Sequence, residues 1–164
     1  MILGLDASTK STGYGIFHEE TKRLIASGCI TADGADMMGR INKIVKNIKE
    51  RILEKYQINE LILEEVIPKN GYMNKNIKTY KALMYLQAKI MFLLHDEYPY
   101  IKVIFKYPGE WRKEVGIHSG PVKREEMKKR DITYVKNVFG LDVNDDEADG
   151  ICLAYSALQQ KGAF

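Results

Sequence analysis

Short apolar runs open the chain, and longer runs with a helical period follow. MILGLDAS has the leucine and β-branched character of a buried strand, TGYGIFHE alternates like a second, and KRLIASGCIT like a third, with Gly and polar breaks at hairpin distances between them. Ile41, Ile44, Val45, Ile48 and Ile52 then recur at helical spacing with lysines opposite, which predicts an amphipathic helix over about 38–56. ELILEEV reads as a fourth strand, PKNGYMNKN as a polar loop, residues 77–97 as a second helix and YIKVIFKY as a fifth strand. Pro108, Gly109, Gly116 and Gly120 punctuate the following segment into a loop or short helical turn. Pro121 then opens a third helix striped by Ile132, Val135 and Phe139 and ended by Gly140, and a last helix spans about 146–160. The order β-β-β-α-β-α-β-α-α predicts an α/β fold: a five-stranded mixed sheet, its three N-terminal strands antiparallel, with helices on both faces.

The second helix departs from a one-sided stripe. MYLQAKIMFLL, residues 84–94, is apolar nearly all the way round and has to be covered on two sides. The chain's own sheet covers one; a symmetric partner subunit is the economical cover for the other, so a homodimer is expected over a helix sandwiched within one monomer.

Composition narrows the class without choosing a function. The 164 residues fit a single domain, 1–164, and 45% hydrophobic content is enough for a core. A formal charge of +3 is only mildly basic, so a polyanionic partner would have to be met by a local patch. Cys29 and Cys152 lie far apart in apolar surroundings, which suits buried thiols in a reducing compartment and excludes a disulfide scaffold or zinc site. Without a signal-like N-terminus or a long apolar window, the chain reads as cytoplasmic, with no membrane association.

The acids change the picture. NDDEADGICLAYSAL places Asp145, Asp146, Glu147 and Asp149 ahead of an apolar helical run. One acid suffices to cap a helix, and Asp146 and Asp149, three residues apart, share a face on which the local sequence supplies no cation. Asp6 interrupts the first strand, where a buried charge is costly unless paired, or else hydrogen-bonded to Ser8, Thr9 or Thr12; Glu64 and Glu65 end the fourth. Carboxylates contributed by strand ends and a helix start make the all-oxygen donor set that hard divalent cations take, and two such ions can stabilise the attacking and leaving oxygens of a displacement at phosphorus.

These residues resemble a known family. ILGLDASTKSTGYGIF resembles the opening strand pair of the RuvC Holliday-junction resolvases, ILEEV their second acidic strand, and DDEADGICLAYSAL their closing D-x-x-D helix, over nearly the whole chain. The resemblance implies a ribonuclease H-like fold, a crossover junction endodeoxyribonuclease activity, and a four-carboxylate site in which Asp6, Glu64, Asp146 and Asp149 hold two Mg²⁺, with Mn²⁺ as a substitute. Glu65 and Asp145 become neighbouring or alternative ligands. The family's basic residue near the scissile phosphate falls on Lys123, which is also counted as catalytic. Where the family carries a stacking aromatic past its second acid, this chain has Ile67, and Tyr72 is the candidate replacement. PGEWRKEVGI looks more like phage-encoded relatives, which leaves flaps and forks beside four-way junctions as substrates and makes branch-migration partners doubtful.

Residues 112–136 hold eight Lys or Arg against four acids, a local excess of four for contact with phosphates. Expected DNA contacts are Lys69, Asn70, Tyr72, Lys75, Arg112, Lys123 and Arg124. Trp111 could stack on a base or sugar, although a lone tryptophan in such a loop more often packs onto the core. The expected reaction is paired incision of branched DNA by a two-fold symmetric dimer, leaving 5′-phosphates. Three other readings compete: a ribonuclease H acting on RNA–DNA hybrids, half of an actin-like sugar kinase or ATPase, and a non-catalytic DNA-binding module.

Overall fold

The computed structural model describes residues 1–67, 77–117 and 120–161. The expectations for Lys69, Asn70, Tyr72 and Lys75 lie outside the described residues. The strands are β1 (Ile2–Asp6), β2 (Ser11–Phe17), β3 (Leu24–Thr31), β4 (Glu60–Glu64) and β5 (Lys102–Lys106). The helices are α1 (Met37–Ile48), α2 (Ile77–Glu97), α3 (Pro108–Val115), α4 (Arg124–Phe139) and α5 (Asp145–Lys161).

The five strands form one sheet in the order β3-β2-β1-β4-β5. β1 pairs antiparallel with β2, and β2 with β3, while β1–β4 and β4–β5 are parallel, so the expected mixed sheet forms. Period-two alternation divides its side chains between two cores. Leu3, Leu5, Ile16, Leu61 and Leu63 pack with Ile41, Ile44 and Ile48 of α1 and Leu86, Ile90 and Leu94 of α2. Ile2, Phe17 and Ile62 pack on the opposite face with Trp111, Val135 and Ala148, Ile151 and Leu153, that is, with α3, α4 and α5.

Three boundaries differ from the pattern-based reading, the first being that α1 gives way after Ile48 to a π-helical turn at Lys49–Leu53, short of the expected 56. The punctuated segment after β5 is a true helix, α3, because Pro108 stands at its first turn, the Glu110 carboxylate accepts from the Tyr107 N–H at 2.9 Å, and Gly116 closes it at φ 86°. Pro121 does not open α4; the helix begins at Arg124 with Lys123 as its N-cap residue. Gly140, at φ 71°, ends α4 as expected.

Helix α5 lies directly on the sheet backbone. A Cβ on Gly13 would stand 1.6 Å from the Asp146 carbonyl oxygen, and one on Gly150 would stand 2.6 Å from the Tyr14 backbone. Only glycine admits this approach, and it brings the first turn of α5 against the end of β2.

Candidate active site

The strand registers gather the acids. Asp6 pairs across from Gly13, and Glu64 follows the parallel pair Leu5–Leu63, so Asp6 and Glu64 close two neighbouring strands on one sheet face. Alternation turns Glu65, whose N–H still donates to the Lys106 carbonyl, toward the other side, which separates the two adjacent glutamates. The close contact at Gly13 sets Asp146 beside the same edge.

The acids of the first α5 turn divide their tasks. Asn144 caps the helix, its Oδ1 accepting from the Glu147 N–H at 2.9 Å. Glu147 accepts from the Ser27 hydroxyl on β3 at 2.7 Å, and Asp145 pairs with Lys128 of α4. Asp146 makes no side-chain hydrogen bond or ion pair among the described residues, and neither does Asp6, because Thr12 spends its hydroxyl on the backbone of Ser8 instead. The acids therefore do more than cap a helix.

Glu64 is held from both sides of the sheet. Trp111 Nε1 donates to its Oε2 at 2.9 Å, and Gln87 of α2 donates to its carbonyl oxygen at 2.8 Å. Trp111 is fully buried, so it supports the carboxylate and is not placed to stack on a base. Asp149 lies 3.7 Å from Arg112 Nη2, while its Oδ1 is buried without a hydrogen-bond partner.

This packing leaves negative charge poorly compensated. Burial, then the charges of Glu64 and Asp146, push the Asp6 carboxyl up to about 7. Burial, then Asp6 and Asp131, push Asp149 well above the carboxylate range; burial also raises Glu64, against the Trp111 hydrogen bond and the Arg112 charge. An orphaned buried oxygen among carboxylates that resist ionisation fits a hard divalent cation, which would supply the missing positive charge. As the side chains stand, no group of three metal-ligating residues among the described ones is drawn together as a ready cage. Glu64 and Asp149 are instead engaged by Trp111 and Arg112.

The basic residues fall differently from the expectation. Arg112, expected on the DNA-facing surface, is turned inward with a side chain only 12% exposed, because its guanidinium forks onto Asp131 at 2.7–3.1 Å. Lys123 and Arg124 are exposed at the start of α4, and the Arg124 charge reaches Glu64. Lys128, one turn further, is the α4 lysine whose charge reaches Asp6. Of the basic stretch, Arg112, Lys128, Arg130 and Lys136 are taken up by Asp131, Asp145, Glu126 and Asp142, so the surface patch is smaller than the count implied. Ile67, standing where the resemblance led to an aromatic being expected, is 49% exposed.

Asp131 and Gln87 escaped the sequence reading. Asp131 was counted with the surface charges, yet its spacing of four from both Met127 and Val135 placed it on the buried stripe of α4. Gln87 carried no comparable signal beyond being the one polar residue in YLQAKI apart from its lysine and tyrosine.

A family model described as crossover junction endodeoxyribonuclease RuvC matches residues 2–154. The crossover junction endodeoxyribonuclease RuvC of Ehrlichia canis is 30% identical over 160 residues, covering 94% of this chain and 96% of the relative. That of Rickettsia rickettsii is 29% identical, covering 98% of each. Among solved structures, Thermus thermophilus RuvC in complex with a Holliday junction substrate superposes with a TM-score of 0.74 at 12% identity, covering 99% of this chain and 95% of that one. The yeast mitochondrial Holliday junction resolvase Ydc2 superposes with a TM-score of 0.64 at 13% identity, covering 98% and 78%.

Proposed function

The chain belongs to the RuvC family of crossover junction endodeoxyribonucleases, and on that premise we propose that it resolves Holliday junctions by metal-dependent hydrolysis at Asp6, Glu64, Asp146 and Asp149. The observation that carries this reading is the meeting of the ends of β1 and β4 with the first turn of α5 on one sheet face, with half-buried acids whose charges raise one another. The whole chain, 1–164, acts as one nuclease domain in the cytoplasm. No helix among the described residues is long and apolar enough to cross a membrane.

A divalent ion bound there, Mg²⁺ with Mn²⁺ as substitute and two ions per site, supplies Lewis-acid charge to the scissile phosphate and lowers the pKa of water. The chain's residues do the positioning. Asp6 sits central, its neighbours Glu64 and Asp146 raising its affinity for a cation by their own charge. Trp111 and Gln87 restrain Glu64 at the strand end, so that it presents one oriented carboxylate. Lys123 and Arg124, exposed at the head of α4, meet DNA phosphates and offset charge that grows during displacement, leaving a 5′-phosphate on the product.

Two incisions call for two copies. On α2, Leu86, Ile90 and Leu94 face the sheet, while Met84, Tyr85 and Phe92 remain exposed, Phe92 by 69%. A homodimer across this face covers them and supplies two sites related by a two-fold axis, matching a four-way junction. Four-way junction, flap, fork and RNA–DNA hybrid, each incubated with Mg²⁺ and with chelator, test the proposal. Paired, symmetric nicks in the junction are expected; a hybrid digested faster than any branched DNA would replace the reading with a ribonuclease H.

A further inference from the structure

Asp131 is a carboxylate in the wrong place for a surface helix. It is fully buried on the face of α4 that packs against α5, one turn before Val135, and it borders the acid set, its carboxyl acting on Asp149 by charge and by a side-chain hydrogen bond. Its partner comes from another helix. Arg112 of α3 donates Nε to both carboxylate oxygens at 3.1 and 3.0 Å and Nη2 to Oδ2 at 2.7 Å, and the same Nη2 lies 3.7 Å from Asp149 Oδ2. The guanidinium also lies over its neighbour Trp111, 4.1 Å from the ring centroid, and that indole bonds Glu64. One buried cation thus stands between two carboxylates, bonded to the one outside the site and short of contact with the one inside it.

We infer that Asp131 is a positioning residue that holds Arg112 back from Asp149, keeping that carboxylate open to a divalent cation. A guanidinium forms a bidentate pair with any carboxylate it can reach squarely. Without Asp131, the nearest one is Asp149, already 3.7 Å away and with Oδ1 unpartnered. Paired there, Arg112 occupies the oxygens a metal ion needs and opposes the ion by its own charge. Asp131 prevents this by saturating the guanidinium from behind. Arg112 then offsets part of the buried negative charge through space without acting as a competing ligand.

The inference rests on the metal reading of the acid site, and the test separates the two. Mn²⁺ binding is measured by titration calorimetry on the full-length protein without DNA, with thermal melts alongside, for wild type, Asp131→Asn, Arg112→Lys and the double variant Asp131→Asn/Arg112→Met. Asp131→Asn frees the fork, and Arg112→Lys keeps the charge but cannot hold a bidentate grip; each is expected to weaken Mn²⁺ binding about tenfold. The double variant removes the competitor as well and is expected to bind Mn²⁺ at least as tightly as wild type. A purely structural pair would give losses that track melting temperature, with no recovery in the double variant. If Asp131→Asn does not fold, Arg112→Lys and the double variant carry the comparison. Wild-type binding with Arg112→Lys unchanged, or with the double variant as weak as the single ones, overturns the role of Asp131 alone. Absence of Mn²⁺ binding by wild type overturns the metal reading and this inference together.

Discussion

Replacing Asp6 with Asn removes a charge that the folded protein resists. Burial and the charges of Glu64 and Asp146 raise the Asp6 carboxyl from 3.8 to about 7, a rise of about 3 units that corresponds to about 4 kcal/mol at 1.36 kcal/mol per unit. The direction follows from proton binding. Below its ordinary value the group is protonated in both the folded and unfolded chain. As the pH rises from about 4 to about 7 the unfolded chain ionises first, and stability is lost across that window. The isosteric amide does not ionise. In urea denaturation with chelator present, Asp6→Asn is therefore expected to stabilise the protein by less than about 1 kcal/mol at pH 4 and by about 4 kcal/mol at pH 8. Saturating Mg²⁺ stabilises wild type in turn, by about 2.7 kcal/mol at a hundred times its dissociation constant, and narrows the difference. Junction cleavage should fall at least about a hundredfold in the same variant. A stability change equal at the two pH values, or a destabilised variant at pH 8, would refute the claim that Asp6 is an acid whose surroundings resist its ionisation.

Three further outcomes follow from contacts elsewhere. Gly13→Ala places a methyl group 1.6 Å from the Asp146 carbonyl and should cost about 3 kcal/mol in urea denaturation as α5 is forced off β2; an unchanged midpoint would deny the close approach. Trp111→Phe keeps the ring but removes the donor to Glu64, with an expected loss of about 2 kcal/mol in a thermal or urea melt; no loss would mean that bond contributes nothing. Phe92→Asp puts a charge on the exposed α2 face, and light scattering after gel filtration should show the proposed dimer for wild type and a folded monomer for the variant; a variant that stays dimeric moves the interface elsewhere.

The sheet was readable because its strands announce themselves by alternation and by hairpin-length breaks, and α2 because its apolar run has one clear start and end. Asp6 and Glu64 stood out as charges at strand ends, where a solvated role is harder to supply than on a helix. Pairing was not readable in the same way. Whether Glu64 or Glu65 faces the site depends on strand register, a property of two chain segments at once, and only the Leu5–Leu63 pairing decides it. Arg112 and Asp131 looked like surface charges because each is ordinary in its own helix. The spacing of Asp131 from Met127 and Val135 did mark its burial, but its pairing with Arg112 arises only when α3 and α4 meet over α5, and no local pattern encodes that meeting. The glycines at 13 and 150 carried a signal that strand and helix propensities do not weigh: small residues facing each other where a helix touches backbone.

The proposed hydrolysis requires a divalent ion lodged among Asp6, Glu64, Asp146 and Asp149. A crystal of the protein soaked in Mn²⁺ and measured at an anomalous wavelength tests this most directly. An anomalous peak bonded to Asp6 and at least one of the other three at about 2.0–2.2 Å is the predicted result. A peak elsewhere, or none at these carboxylates at saturating Mn²⁺, would contradict it.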